Sequence, residues 1–213
     1  MNCFRTIDFT TWKRKPMYDF FSRSSSPNYC ISTKFEAGEF FPFFRKRGDS
    51  VFIATLYAFL KAANDIPEMR QRQMGDKVVE YASVAAMTPV SCAEPDLFRQ
   101  IWCEFYPDFD EFRKHAVEKI NEAKMLPPKP VAEEAYTNFG YICVNCAPWY
   151  HFDGAEIPDY TLSKDIPIAG WGKLKNNLLP TSTRFNHCFM DGVHVGRFFK
   201  SLQKYLSHPE SLL

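Results

Sequence analysis

The 213-residue chain is 46% hydrophobic and 24% charged, a length and balance that predict one globular domain over residues 1–213. Its 26 basic and 25 acidic side chains give a net charge of +1 without a long basic run, which disfavours nucleic acid as the principal partner. The sequence opens without a charged-then-apolar leader and holds no apolar run of membrane length, so we expect a cytoplasmic protein without a membrane partner.

The first third of the sequence predicts two strands and two helices. Residues 4–9 and 29–35 are rich in apolar and β-branched side chains, which is typical of strands. A short helix is predicted around residues 12–21, and a longer one over residues 50–64, where apolar side chains recur on one helical face. The intervening residues 36–48 are predicted to form a short charged connection.

The middle of the sequence predicts a hairpin, a helix and a strand. A Met-Gly-Asp-Lys turn at residues 74–77 divides two extended runs within residues 71–90, which predicts a β-hairpin. Asp108 is expected to cap a surface helix within residues 107–124, which the L-P-P-K-P segment at residues 126–130 ends, and residues 139–146 predict another strand. No internal repeat or long linker interrupts this order, so the elements are expected to share one domain.

The last part of the sequence predicts a strand, a sharp turn and a helix. Residues 178–187 alternate in the manner of a strand, and the apolar residues within 195–206 fall on one helical face. His187 therefore lies at the end of the strand, and Asp191 and Gly192 lie in the turn. We expect Gly192 at a backbone position barred to side chains, and Asp191 to accept hydrogen bonds from the turn or the helix start.

A histidine at this position has two interpretations. An imidazole titrates near neutral pH and can take a proton from an alcohol or a thiol, so it can act as a general base. A histidine beside an aspartate is more often a structural pair. The spacing alone leaves both interpretations open.

The seven cysteines are scattered without a disulfide framework, which indicates reduced thiols in a cytoplasm. Cys143 and Cys146 form a close C-V-N-C pair, but no second pair of cysteines or histidines completes a zinc site. A strand would also point these two side chains to opposite faces. We therefore predict no metal.

The C-terminal motif, N-H-C-F-M-D-G followed by V-H-V-G-R-F, resembles the active-site signature of the chloramphenicol acetyltransferase family, within the superfamily of CoA-dependent acyltransferases. The usual form is His-His-x-x-x-Asp-Gly, so Asn186 stands in place of the first histidine. The resemblance implies that His187 is the general base and that Asp191 organises it through a pair with an arginine. The opening W-K-R-K-P-M-Y-D-F-F also resembles the family and identifies that arginine as Arg14.

Acetyl transfer from acetyl-CoA to a hydroxyl needs a base and hydrogen-bond donors for the oxyanion that develops. The resemblance aligns Asn145 with the family's stabilising serine and Gly170 with a nearby threonine, so two polar groups are changed. It places Trp149 and Lys173 near acetyl-CoA, as an aromatic wall and as an ammonium facing phosphate. Phe20, Phe21 and Phe98 fall at positions of the site for the hydroxyl acceptor.

The resemblance implies an α+β two-layer sandwich, with a mostly antiparallel sheet and helices packed on one side. It also implies a homotrimer whose active sites lie between subunits. The leading hypothesis is an acetyltransferase that acts on chloramphenicol. The resemblance implies that Ser25, Pro27, Gln100 and Ala155 replace the leucine, cysteine, alanine and phenylalanine usual at the acceptor site, which favours a different small hydroxyl compound. The changes at Asn145 and Gly170 favour a third hypothesis, a non-catalytic trimeric binding protein.

Overall fold

The described part of the chain, residues 4–129, 140–158 and 164–213 of a computed structural model, forms two β-sheets covered by helices. Its α-helices are α1 (Lys15–Phe21), α2 (Phe40–Arg47), α3 (Val51–Asn64), α4 (Phe109–Ala123) and α5 (Gly192–Ser207), and its 3-10 helices are Pro67–Arg70 and Pro209–Leu212. Its strands are β1 (Phe4–Thr6), β2 (Asn28–Glu36), β3 (Gln71–Met74), β4 (Lys77–Tyr81), β5 (Ala85–Ser91), β6 (Phe98–Cys103), β7 (Tyr141–Ala147), β8 (Ile168–Gly172) and β9 (Leu178–Asn186). None of these helices is long and apolar enough to cross a membrane.

The larger sheet has six strands in the order β2-β9-β8-β7-β5-β6. Strand β9 pairs antiparallel with both β2 and β8, and β5 pairs antiparallel with β6, whereas β7 is parallel to both β5 and β8. The smaller sheet, β1-β4-β3, is antiparallel throughout. The predicted α+β fold with mostly antiparallel pairing is confirmed, although the strands divide between two sheets.

Helices α3 and α5 cover one face of the larger sheet. Trp171 of β8 stacks on Phe59 of α3 with ring centroids 5.5 Å apart. Phe185 of β9 meets Phe198 of α5 edge-on at 5.9 Å. All four side chains are buried, so aromatic contacts join the sheet to its helical layer.

The opposite face of the larger sheet carries Asn145 and Gly170, the two positions that the resemblance aligns with polar residues of the family. Side chains alternate along a strand, and Ile142 and Val144 belong to the core beneath the helices. Cys143 and Asn145 of β7 therefore point the other way, as does Gly170, which lies between the core residues of β8. We call this side, which none of the α-helices given above covers, the open face of the sheet, although Tyr141 and Ser182 on it are buried.

Two helix starts agree with the prediction. The Ser50 side chain accepts the backbone N–H of Ile53 at 3.4 Å, and the Asp108 side chain accepts that of Glu111 at 2.9 Å. Helix α1 begins later than predicted, at Lys15. Strand β1 is shorter than predicted and ends at residue 6.

Helix α2 stands where the sequence predicted only a charged connection. Its charged residues, 45–47, lie in the last turn, where cations are favourable at a helix C-terminus. Phe40 and Phe44 are fully buried, and Gly48 ends the helix in the left-handed conformation with φ 79°. Burial of these two phenylalanines thus stabilises a helix in a segment that its charged residues had suggested was a loop.

The predicted hairpin is right at its turn and wrong in its second strand. Met74 pairs with Lys77 across the turn. Strand β4 then ends at Tyr81, and the chain crosses to the larger sheet, where β5 begins at Ala85.

Asn64, the last residue of α3, holds this crossing in place. Its Oδ1 accepts the N–H of Val84 at 2.8 Å, and its Nδ2 donates to the carbonyl of Val84 at 3.1 Å. Val84 is buried. The side chain of Asn64 therefore satisfies backbone groups that would otherwise continue a strand.

We expect Asn64→Ala to lower the free energy of unfolding by about 1–3 kcal/mol, because the buried N–H of Val84 loses its acceptor. Urea unfolding followed by circular dichroism measures the change. Asn121→Ala, on the exposed surface of α4, is the matched control and should shift the value by less than about 0.5 kcal/mol. Equal losses in the two variants would contradict this account of the crossing.

Candidate active site

His187 is held at the end of strand β9 by the pairing of β9 with β2. Asn186, the last residue of β9, pairs with Asn28 at the start of β2. The next residue, His187, donates its backbone N–H to the carbonyl of Pro27 at 2.8 Å. Residues 27 and 28, from the start of the chain, therefore fix the backbone of His187 near its end.

The imidazole of His187 lies between two aromatic rings. The ring of Phe21 stacks on it with centroids 3.9 Å apart and planes within 10°. Tyr29 lies on another side at 4.8 Å, tilted by 45°. The histidine side chain is 36% exposed, so it is oriented by packing and still open to a reactant.

Asp191 lies beside the same imidazole. Its Oδ1 is 3.1 Å from Nδ1 of His187, but the two atoms are not aligned as a hydrogen bond. Arg14 binds the carboxylate through both ends of its guanidinium, with Nη1 2.5 Å from Oδ2 and Nη2 2.8 Å from Oδ1. These hydrogen bonds hold the pKa of Asp191 below its usual value, so Asp191 is a carboxylate at neutral pH.

Arg14 also binds the backbone of the turn. Its Nε donates to the carbonyl of Cys188 at 2.8 Å, and its Nη2 donates to the carbonyl of His187 at 2.7 Å. The side chain of Arg14 is only 10% exposed. A single guanidinium therefore fixes the aspartate and both residues at the start of the turn.

Burial keeps two further groups near His187 in their neutral forms, Cys188 in the turn and Tyr29 on β2. Burial raises the pKa of the Cys188 thiol to about 11, so it is protonated at neutral pH and a poor nucleophile. Burial also raises the pKa of Tyr29 to about 12. Its hydroxyl remains protonated and lies 3.1 Å from the carbonyl of Met190, to which it donates.

The expectation for Gly192 is wrong. It is the first residue of α5, its φ is not positive, and a Cβ built on it would meet nothing within 4 Å. Asp191 adopts the extended conformation before the helix and makes the change of direction instead.

Asn145 and Gly170 face each other on the open face of the sheet. They are partners in the parallel register of β7 and β8, and a Cβ on Gly170 would lie 3.8 Å from the Cβ of Asn145. Gly170 in turn pairs with Ser182 of β9. His187 follows five residues later, which places it roughly 16 Å further along the strand direction. Asn145 and His187 of one chain are therefore well separated.

Trp149 lines a cavity of about 850 Å³ together with Phe98, Pro148 and Lys124. The indole is 78% exposed, so simple packing within this chain does not account for it. Phe98, predicted at the acceptor site, shares this cavity with Trp149, predicted at the acetyl-CoA site. Lys173 is exposed and donates its backbone N–H to the carbonyl of Tyr150, next to Trp149, at 2.8 Å.

The structure thus separates the predicted acceptor residues. Phe21 contacts His187, and Phe20 is 68% exposed with its ring edge-on to Phe21 at 5.1 Å. Phe98 lines the cavity of Trp149.

Both cysteines of the C-V-N-C pair lie on strand β7, and each is half-buried. Burial raises the pKa of both Cys143 and Cys146 to about 12. In the described ranges no three histidine, cysteine, aspartate or glutamate side chains gather as a metal site would require.

Several contacts at this site were not predicted from the sequence. Tyr29 and Pro27 contact His187 because β2 pairs with β9, and no local pattern reveals that pairing. His194 lies within the C-terminal motif, and its Nδ1 accepts the N–H of Asp191 at 2.9 Å, a contact that the resemblance does not imply. The spacing of three residues after a helix cap was the available signal.

The chain is similar to known chloramphenicol acetyltransferases along almost its whole length. The family model described as "Chloramphenicol acetyltransferase" matches residues 1–203. A chloramphenicol acetyltransferase of Clostridium perfringens is 27% identical over 218 residues, covering 99% of this chain and 98% of that protein. Chloramphenicol acetyltransferase 2 of Escherichia coli is 23% identical over 210 residues, covering 94% of this chain and 95% of that protein.

Solved structures show the same likeness. A chloramphenicol acetyltransferase superposes with a TM-score of 0.86 at 27% identity, covering 96% of this chain and all of that one. A probable dihydrolipoamide acetyltransferase of Listeria monocytogenes, at 12% identity and a TM-score of 0.63 over 94% of this chain and 92% of that one, shares the fold. The chain therefore belongs to the chloramphenicol acetyltransferase family, a family of acyltransferases.

Proposed function

We propose that this protein transfers the acetyl group of acetyl-CoA to a hydroxyl of chloramphenicol, with His187 as the general base. The observation that carries the proposal is the arrangement of Arg14, Asp191 and His187 at the end of β9. The similarity to chloramphenicol acetyltransferases over the whole chain supports the choice of reaction.

The charges around His187 suit a base that acts through Nε2. The carboxylate of Asp191 lies beside Nδ1, which favours a proton on Nδ1 and leaves Nε2 as the acceptor. Nε2 takes the proton of the attacking hydroxyl as the new C–O bond forms. The same proton then passes to the departing sulfur when the thioester C–S bond breaks, so the histidine ends as it began.

The donor for the developing oxyanion is proposed to be Asn145 of a neighbouring subunit. An asparagine amide has two N–H donors, and this side chain is exposed on the open face. Within one chain it lies too far from His187, by roughly 16 Å along the strand direction. A homotrimer with active sites between subunits would bring the two residues together, which is the arrangement that the family resemblance implies.

Acetyl-CoA is proposed as the co-substrate that supplies the acetyl group as a thioester. The cavity beside Trp149 fits this role, because it combines exposed aromatic walls, Trp149 and Phe98, with a lysine at its edge, Lys124. Lys173, exposed nearby, adds a second ammonium for the phosphates.

The small hydroxyl acceptor is proposed to enter beside His187, where Phe21 and Phe20 offer apolar rings. Phe98 would complete this site only from another subunit, since in its own chain it lines the cavity of Trp149. Replacements around the acceptor favour, as a second candidate, the same chemistry on a different hydroxyl compound. The intact Arg14, Asp191 and His187 arrangement favours either enzyme over a non-catalytic binding protein.

We expect His187→Ala to lower kcat by about 10²-fold to 10⁴-fold, because the hydroxyl loses its proton acceptor. Release of the free thiol from acetyl-CoA, with chloramphenicol as acceptor, measures the turnover by colour. His115→Ala, a change on the surface of α4, is the control and should retain activity. Unchanged turnover in His187→Ala would remove this histidine as the base.

Mixed trimers test where the site lies. We expect Asn145→Ala to lower kcat by about 10²-fold to 10³-fold, since an oxyanion donor is lost, while Asn145→Ser keeps a donor and loses less. Co-expression of Asn145→Ala with His187→Ala should then recover activity, because some interfaces in a mixed trimer pair an intact His187 with an intact Asn145. Purified mixtures that stay as inactive as each variant alone would contradict a site between subunits.

The depressed pKa of Asp191 predicts an effect of acid on stability. A carboxyl whose folded pKa is lowered stabilises the fold above its unfolded pKa of about 3.8 and loses this contribution as pH falls further. We expect Asp191→Asn to lower the urea midpoint at pH 7, and the gap from the wild type to narrow below about pH 4. Asp153→Asn, whose pair with Lys34 is largely exposed, should change little. A gap that stays constant from pH 7 to pH 3 would contradict the assignment.

A further inference from the structure

His194 lies behind the catalytic turn and takes no part in the proton transfers proposed above. It is the third residue of α5, and its Nδ1 accepts the backbone N–H of Asp191 at 2.9 Å. The side chain is only 15% exposed. A neutral imidazole has one donor and one acceptor nitrogen, so this hydrogen bond requires the proton of His194 to be on Nε2.

Glu68 favours the same tautomer from the other side through its charge, at a distance longer than a hydrogen bond. It belongs to the 3-10 helix Pro67–Arg70, and its Oε1 lies 3.5 Å from Nε2 of His194. A carboxylate only accepts hydrogen bonds, so it favours the protonated nitrogen at this position. Its second oxygen, Oε2, is buried without a hydrogen-bond partner, and its contact with His194 is made through Oε1.

Asp191 is therefore held at two points by two different residues. Arg14 binds the carboxylate, whereas His194 binds the backbone N–H from which that side chain projects. The guanidinium fixes the position of the carboxylate, and the imidazole fixes the backbone at the start of α5. Together they keep Oδ1 of Asp191 3.1 Å from Nδ1 of His187.

We propose that His194, oriented by Glu68, is a positioning residue for the catalytic base. It acts through the backbone of Asp191 and touches neither substrate. The proposal rests on the proposed acetyl transfer by His187. It adds two residues behind Asp191 to the site, His194 in the first turn of α5 and Glu68 in the 3-10 helix Pro67–Arg70.

A pair of substitutions at His194 separates positioning from bulk packing. Glutamine three residues after a helix cap can accept the cap N–H through its side-chain oxygen, whereas leucine cannot. We expect His194→Leu to lower kcat about 10-fold to 100-fold with little change in KM, because the base is misplaced while substrate contacts remain. His194→Gln should keep most of the kcat. His115→Leu, which removes a histidine paired with Glu118 at 3.6 Å on the surface of α4, is the matched control and should leave kcat unchanged.

Either of two kinetic outcomes would overturn the proposal. One is a folded His194→Leu protein with wild-type kcat, which would reduce the role of His194 to stability. The other is an equal loss of kcat in the glutamine and leucine variants, which would show that the acceptor for the N–H of Asp191 is irrelevant.

A double-mutant cycle with His194→Leu tests the role of Glu68. Glu68→Met keeps the side-chain length and removes the carboxylate, and it should lower kcat in the same direction as His194→Leu. If the two residues act as a unit, the double variant falls no lower than His194→Leu alone. Losses that multiply would remove Glu68 from the proposal.

Nitrogen NMR of the histidine rings provides a readout that does not depend on activity. The wild-type protein should show His194 as the neutral tautomer with its proton on Nε2. A proton on Nδ1 would overturn this inference even in an active enzyme. An inactive wild type with His194 in the expected tautomer would count against the proposed function instead, so the two failures are distinguishable.

Discussion

The contact on which the candidate site depends is the guanidinium of Arg14 inserted behind the turn after β9. It bonds to the Asp191 carboxylate and to the carbonyls of His187 and Cys188, which are more than 170 residues away in sequence. These bonds form only when the first helix and the last strand have met through the pairing of β2 with β9. Loss of the Asp191 charge would leave the largely buried guanidinium of Arg14 without its carboxylate, so the geometry of the site is tied to completion of the fold.

The register of the larger sheet imposes a second constraint. It places Asn145 level with Ser182 and therefore far from His187 of the same chain. The exposed rings of Trp149, Phe98 and Phe20 lie outside the core, and exposed apolar surface of this kind marks ligand or subunit contacts. The proposed base and the proposed oxyanion donor therefore lie apart in one well-packed chain, which is what a site shared between copies would require.

The sequence was most informative where the chemistry is local. The strand, turn and helix around His187 were predicted, as were the start of the helix at Ser50 and the cap at Asp108, because each depends on neighbouring residues. Helix α2 was not predicted because its three basic residues suggested an exposed loop, whereas its phenylalanines are what stabilise it by burial. The break after Tyr81 was missed because the side chain of Asn64 causes it. Contacts across the sheet, such as Tyr29 against His187, depend on which strands pair, and a single sequence does not contain that information in local form.

The two positions on the open face that the resemblance predicts to be changed are adjacent. Asn145 and Gly170 are register partners, so the longer side chain stands opposite the residue that has none. A Cβ on Gly170 would only reach ordinary contact distance from Asn145, and a full threonine side chain would extend further into the same space. The larger residue on β7 therefore compensates in volume for the smaller residue on β8, and the two changes are better understood as one coupled substitution than as two independent losses of a polar side chain. Because asparagine brings amide donors into the space that glycine leaves, the exchange preserves a hydrogen-bonding group where oxyanion stabilisation would be needed, and it favours a working enzyme over a protein that only binds.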